Sequence, residues 1–189
     1  MFLDAHSDFR HLGNSDSGSI GAAAGDDLAI VTGRGDARLV NIEALGPYFR
    51  DQDIHVVGIR ANDSEIEEFA ALGIRVTTAD AMIGADMSAL ANEIIATTTE
   101  ATAGFWIHFD ADVIDASEMP AVDCPESGGP SFATVTMLLR HLLQSPLCLG
   151  LQLTIYDPDL DPDGEVAARL RECLVQAFRP GNVGAAPLR

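Results

Sequence analysis

Residues 104–115 read GFWIHFDADVID, in which an apolar run from Gly104 to Phe109 leads straight into acidic residues. The run is short enough to be a buried strand. The chain opens on the same arrangement, because the apolar residues 1–3 precede the segment DAHSD at residues 4–8. In a parallel α/β sheet the carboxyl ends of the strands form the ligand crevice. The sequence therefore predicts a parallel α/β fold in which the two acidic segments meet at one edge of the sheet.

These two segments predict a metal site. Like charges brought together in a crevice are costly unless a cation lies between them. Carboxylate oxygens with a single imidazole suit Mn, Mg or Fe better than a thiophilic metal. The first acid of each segment could bridge two ions, which together lower the pKa of a water into the neutral range. The alternative is that the acids cap backbone amides, and Asp115 fits that alternative best. The candidate ligands are Asp4, His6, Asp8, Asp110 and Asp112.

The rest of the chain alternates between predicted strands and helices, which indicates an α/β domain with a parallel sheet. We expect one domain at residues 1–178 and a loose tail at residues 179–189. The predicted strands are 1–3, 54–59, 74–78, 104–109 and 147–155. The predicted helices are 20–32, 65–72, 80–98, 131–143 and 163–178.

Composition narrows the range of partners and compartments. The formal net charge of −18 argues against nucleic acid and anionic membranes as partners. The three cysteines are scattered and lack CxxC spacing, which favours a reducing cytoplasm over a zinc-thiolate site. We find neither a membrane span nor a signal peptide in the sequence, and we expect a cytoplasmic protein.

Two other patterns have simpler interpretations. The segment DLDPDG at residues 159–164 resembles the start of a calcium-binding EF-hand loop, but Leu170 stands where that loop requires Glu. We therefore predict a turn that leads into a helix. His55 and His108 lie in apolar strands and are predicted to be core histidines with satisfied hydrogen bonds.

The acidic motifs resemble two signatures of a known family. LDAHSD at residues 3–8 and FDADVID at residues 109–115, followed by MPAVDCPESGG at residues 119–129, look like those of the ureohydrolases, the arginase, agmatinase and formimidoylglutamase family. VGIR at residues 57–60 resembles the strand between them, and the resemblance extends to about Pro158. It implies a three-layer α/β/α domain around a mainly parallel sheet, here truncated at its N-terminal side, and a homo-oligomer.

The resemblance also implies a chemistry and a role for each ligand. The family hydrolyses a guanidinium or amidine C–N bond with a hydroxide that bridges two Mn²⁺ ions. By motif position, Asp4 and Asp110 would bridge both ions, and His6 and Asp112 would complete the ligands of one. Asp8 would complete the ligands of the other ion and hydrogen-bond the hydroxide, which makes it the catalytic residue.

The sequence departs from the family pattern at three places. A family motif whose His or Cys ligates the first metal would lie upstream of Met1, so one of the two Mn²⁺ sites is incomplete. Gly21 stands about where the family has a proton-shuttling His, and residues 153–158 lack the Glu that pairs with a guanidinium. Ser17 and Asp63 fall near positions that resemble the family's substrate contacts.

The leading hypothesis is a Mn-dependent amidinohydrolase that acts on a small guanidino or amidino compound. The alternative is a truncated, inactive family member that binds metal weakly on the side of His6 and Asp112 and serves as an assembly subunit. A third interpretation is another kind of two-metal α/β hydrolase.

Overall fold

A computed structural model describes residues 1–15, 22–99 and 103–180, and within these ranges five strands form one parallel sheet. The order across the sheet is β3-β2-β1-β4-β5, so the two strands that carry the acidic segments, β1 and β4, are central neighbours. The parallel α/β prediction is confirmed. Four strands lie within predicted ones, and β4 extends one residue beyond the strand predicted at residues 104–109. The strands are β1 (Phe2–Leu3), β2 (His55–Val57), β3 (Arg75–Thr77), β4 (Phe105–Asp110) and β5 (Cys148–Thr154).

Seven α-helices lie in the same ranges, and they connect or follow the strands. None of them is both long and apolar enough to cross a bilayer. They are α1 (Asp27–Val31), α2 (Ala37–Val40), α3 (Ile66–Leu72), α4 (Ala79–Met82), α5 (Met87–Thr98), α6 (Phe132–Leu143) and α7 (Glu165–Ala177).

Two hydrophobic clusters cover the two faces of the sheet. Phe2 and Val56 belong to one cluster, while their neighbours Leu3 and Val57 belong to the other, as alternation along a strand requires. The first cluster includes residues of α1 and α3, and the second includes residues of α5, α6 and α7. Helices therefore pack on both sides of the sheet, which gives the predicted three layers.

The predicted helix at residues 20–32 is confirmed only at Asp27–Val31, and its described part before Asp27 is wrong. Ala23–Gly25 forms a single 3₁₀ turn, and α1 begins only at Asp27. The main-chain oxygen of Asp8 accepts hydrogen bonds from the amides of Leu28 and Ala29. A contact with the first acidic segment thus fixes the start of this short helix, and such a contact is not visible in a local pattern. Residues 16–21 lie outside the described part of the chain.

The predicted helix at residues 80–98 is divided into α4 and α5. Gly84 has φ +81°, a left-handed conformation that glycine adopts easily and that stops the helix. Asp86 then starts α5, because its side chain accepts hydrogen bonds from the amides of Ser88 and Ala89. The turn predicted before the last helix is confirmed, since Asp161 accepts from the amides of Val166 and Ala167.

Candidate metal centre

The register of the central strands brings the two acidic segments side by side. Phe2 pairs with His108 and Leu3 pairs with Phe109, so Asp4 follows β1 next to Asp110 at the end of β4. Both carboxylates are buried. The sequence prediction that two strand ends meet at one edge is therefore confirmed.

One group of three potential ligands, the His6 group, consists of Asp4, His6 and Asp112. One ligand atom from each lies within 4.8 Å of the others. The Nδ1 atom of His6 is 3.0 Å from Oδ2 of Asp112 and 3.7 Å from Oδ1 of Asp4. The amides of Ala5 and His6 donate to Asp112 and Asp4, at 3.2 and 2.7 Å. The backbone of the first acidic segment therefore holds this group in place.

A second group, the His108 group, consists of Asp4, His108 and Asp110. Its ligand atoms also lie within 4.8 Å of one another, and all three residues are buried. Oδ1 of Asp110 accepts from the amide of Asp112, and its Oδ2 accepts from the hydroxyl of Thr154 at 3.1 Å. Sequence reasoning missed His108 as part of the site. The available signal was its spacing, because residues 108 and 110 of an extended strand share a face.

The pKa values of the clustered carboxylates indicate that this edge of the sheet favours cations. Burial, followed by the neighbouring carboxylates, raises the pKa of Asp4 well above its usual value and that of Asp8 to about 8. Burial, and then Asp112, raises the pKa of Asp110 to about 7. The hydrogen bonds to Asp112 and Asp4 raise the pKa of His6 to about 11. Burial and the neighbouring carboxylates make these acids hold protons readily, and divalent ions could replace those protons.

The residues present fit Mn²⁺ or a similar ion. Oδ2 of Asp4 is buried and has no hydrogen-bond partner among the described residues. A buried carboxylate oxygen without a partner is costly, and a cation would satisfy it. Oxygen donors with imidazole form the ligand set that hard and borderline divalent ions favour.

The other predicted site residues line a cleft of about 500 Å³ that opens at the same edge. Asp8 and Asp63 both line this cleft together with His6, Asp110 and Asp112. Asp8 belongs to neither three-residue group, and its backbone has φ +43°. The carboxylate of Asp63 accepts from the amides of Ser7 and Glu65, at 3.1 and 2.9 Å. Ser17 lies outside the described residues.

A buried arginine fastens the long loop to the site. Arg60, which is 6% exposed, donates to main-chain oxygens of Gly58, Asp112, Val113, Glu126 and Ser127, at 2.8 to 3.3 Å. It thereby connects the end of β2 both to the turn that carries Asp112 and to the loop that follows. Nothing in the sequence signals this role, because the acceptors are main-chain atoms and four of the five are more than 50 residues away along the chain.

Asp115 fixes the same loop and is not a ligand. It accepts from the amide and hydroxyl of Ser117 and from the amides of Gly128 and Gly129. These hydrogen bonds lower its pKa to about 2. The alternative of a carboxylate that caps backbone amides therefore holds for Asp115.

Comparison with known proteins identifies relatives of this arrangement. A family model described as "Arginase family" matches residues 1–178. An arginase of Brevibacillus brevis is 29% identical over 166 residues, which cover 87% of this chain and 55% of that protein. A formimidoylglutamase of Chromobacterium violaceum is 34% identical over 77 residues, covering 39% of this chain and 25% of that protein.

Solved structures show the same fold. The native structure of an arginase from Bacillus caldovelox superposes with a TM-score of 0.83 at 24% identity. The match covers 96% of this chain and 60% of that one. The chain thus spans little more than half the length of the arginases that it matches.

Proposed function

Because this chain belongs to the arginase family, we propose that it is a metal-dependent amidinohydrolase that hydrolyses a C–N bond of a small guanidino or amidino compound. Mn²⁺ is the ion that we assign to it, with Asp4, His6, Asp8, Asp110 and Asp112 as ligands. That this shorter chain has the activity of its longer relatives is part of the proposal.

The observation that carries the proposal is the convergence of the two acidic segments on a buried carboxylate without a partner. Asp4 contributes to both groups of potential ligands, and its Oδ2 has no hydrogen-bond partner in the described part of the chain. A purely structural carboxylate at this depth would be hydrogen-bonded through both oxygens. Bound divalent ions would lower the pKa of water into the neutral range and stabilise negative charge that develops during hydrolysis.

Asp8 is the residue that we assign to proton transfer. Its carboxylate lines the cleft next to the ligands, and in the metal-free chain burial raises its pKa to about 8. In the proposed reaction the water oxygen bonds to the guanidinium carbon and the bond to the leaving nitrogen breaks. Both water protons end on that nitrogen, with a carboxylate oxygen of Asp8 as the carrier. A guanidinium ion thus gives urea and an alkylammonium ion.

The charge of the cleft favours a cationic substrate. Asp63, Glu65 and Asp123 line it in addition to the candidate ligands. Arg10 also lines it, but the acidic side chains outnumber this one arginine. A cleft lined mainly by one sign of charge concentrates ligands of the opposite sign. A guanidinium or amidinium group meets this requirement, and Asp63 is the substrate contact that we propose.

The proposal is tested by incubating the Mn²⁺-loaded chain with guanidino compounds such as arginine and agmatine and measuring urea. We expect urea release from the wild type and a loss of about a hundredfold or more in kcat for Asp8→Asn, since that substitution removes the proton carrier and one ligand carboxylate. Asp80→Asn is the matched control, because Asp80 is an exposed aspartate on α4, and it should keep full activity.

A chain that holds Mn²⁺ but releases neither urea nor amine from any guanidino or amidino compound would contradict the proposed activity. That result would favour the alternative of an inactive, metal-binding family member. Equal activity of the wild type and Asp8→Asn would overturn the role given to Asp8 alone.

A further inference from the structure

We infer that His108 supplies the imidazole ligand of a second metal ion, together with Asp4 and Asp110. The inference rests on the proposed divalent-ion site and extends its set of ligands. The five ligands predicted from the sequence include one histidine, His6, which belongs to the first ion. The inference gives the second ion a nitrogen ligand of its own from β4.

The register of the sheet places His108 next to the shared carboxylate. Phe2 of β1 and Gln152 of β5 lie opposite His108. Two residues further along, Thr154 lies opposite Asp110, and Asp4 directly follows β1 on the other side of β4. Residues two apart in a strand point to the same face. The side chains of Asp4, His108 and Asp110 therefore converge, with one ligand atom from each within 4.8 Å of the others.

The free ring nitrogen of His108 is buried and unsatisfied. His108 is 8% exposed, and its Nε2 has no hydrogen-bond partner among the described residues. Oδ2 of Asp4, in the same group, is also buried without a partner. Two buried polar atoms without partners in one cluster are rare in a folded protein unless a bound ion or other ligand interacts with both.

The other contacts of the His108 imidazole fix the orientation of its ring, as the surroundings of a metal-bound histidine do. The ring stacks on Phe2 with 4.4 Å between centroids and an interplanar angle of 7°. Its Nδ1 lies 2.7 Å from the side-chain amide of Gln152. A half-turn of that amide, which has the same shape at both ends, presents its oxygen to Nδ1–H and leaves the lone pair of Nε2 for a metal. Metal-bound histidines regularly donate their second N–H in this way.

A buried histidine with a purely structural role would have hydrogen-bond partners for both ring nitrogens. Outside the group, Oδ2 of Asp27 lies 3.9 Å from Nε2 of His108, which is too far for a hydrogen bond. His55, the other buried histidine in a strand, has its Nε2 2.9 Å from the hydroxyl of Thr77. The sequence prediction of a satisfied core histidine therefore holds for the Nε2 of His55 and is wrong for His108.

Mn²⁺ binding tests the inference without reference to activity. Each variant is loaded with Mn²⁺ and desalted, its metal content is measured, and its fold is checked by circular dichroism. We expect two ions per chain in the wild type, one in His108→Asn, and two in the matched control His55→Asn.

Pulsed electron paramagnetic resonance provides a second readout, and its decisive variant, His6→Asn, leaves His108 in place. Nitrogen bound to Mn²⁺ modulates the spin echo, and this modulation should persist in His6→Asn and disappear in the His6→Asn/His108→Asn double variant. Two ions in His108→Asn, or no nitrogen modulation in His6→Asn, would overturn the inference. A wild type that binds one ion through His6 alone would overturn it and leave the proposed function standing, whereas a wild type that binds no Mn²⁺ would overturn both.

Discussion

The His6 group and the His108 group share Asp4 but differ in the hydrogen-bond partners of their histidines. In the His6 group the histidine is half-buried, and its Nδ1 is 3.0 Å from the carboxylate of Asp112. In the His108 group the histidine is buried, and its Nε2 has no hydrogen-bond partner among the described residues. The difference indicates that the metal-free chain balances charge internally on one side of Asp4 and leaves it unbalanced on the other.

The largest effect should come from removing what the groups share. Asp4→Asn takes a carboxylate from both groups, so we expect Mn²⁺ content to fall below one ion per chain and urea release to disappear. Metal analysis after desalting and a urea assay measure these results. Asp80→Asn should retain both properties. A variant that keeps one tightly bound ion would show that the two groups do not depend on Asp4 equally.

A smaller effect should come from removing Arg60, which supports only the His6 group. Arg60→Met removes five hydrogen bonds to main-chain carbonyl oxygens, three of them buried, and two of the five belong to the turn of Asp112 and Val113. We expect the free energy of unfolding to fall by about 2–4 kcal/mol. The Mn²⁺ affinity of the His6 group should fall more than that of the His108 group. Urea denaturation and Mn²⁺ titration measure the two effects.

The control for that prediction is Arg38→Met, which affects an exposed arginine paired with Asp36, two residues before it. Exposed ion pairs contribute little to stability, so the denaturation midpoint should not move. Equal losses in the Arg60 and Arg38 variants would contradict the supporting role of Arg60.

The smallest effect should come from a hydroxyl that orients one ligand. Thr154→Val removes the hydrogen bond to Oδ2 of Asp110 and keeps the shape of the side chain. We expect about tenfold weaker Mn²⁺ binding in the His108 group, since partners that orient a ligand contribute at that level. The His6 group, which does not include Asp110, should bind unchanged. A uniform loss in both groups would contradict their separation.

The two groups also show what could be predicted from the sequence. The His6 group was visible because its members lie in two short acidic motifs at strand ends, where a local pattern is enough. His108 was hidden because an apolar strand is usual for a core histidine, and only the register of β1, β4 and β5 shows what lies beside it. Arg60 escaped for the same reason, since its partners are main-chain oxygens up to 67 residues away. The error in the helix at residues 20–32 likewise came from a tertiary contact, with the carbonyl of Asp8.

Anomalous diffraction from Mn²⁺-loaded crystals of this chain tests the central claim most directly. The account predicts two anomalous peaks at the carboxyl ends of β1 and β4, one in contact with Asp4, His6 and Asp112 and the other with Asp4, His108 and Asp110. A single peak at the His6 group would contradict the two-ion centre. No peak at this edge of the sheet would contradict the account as a whole.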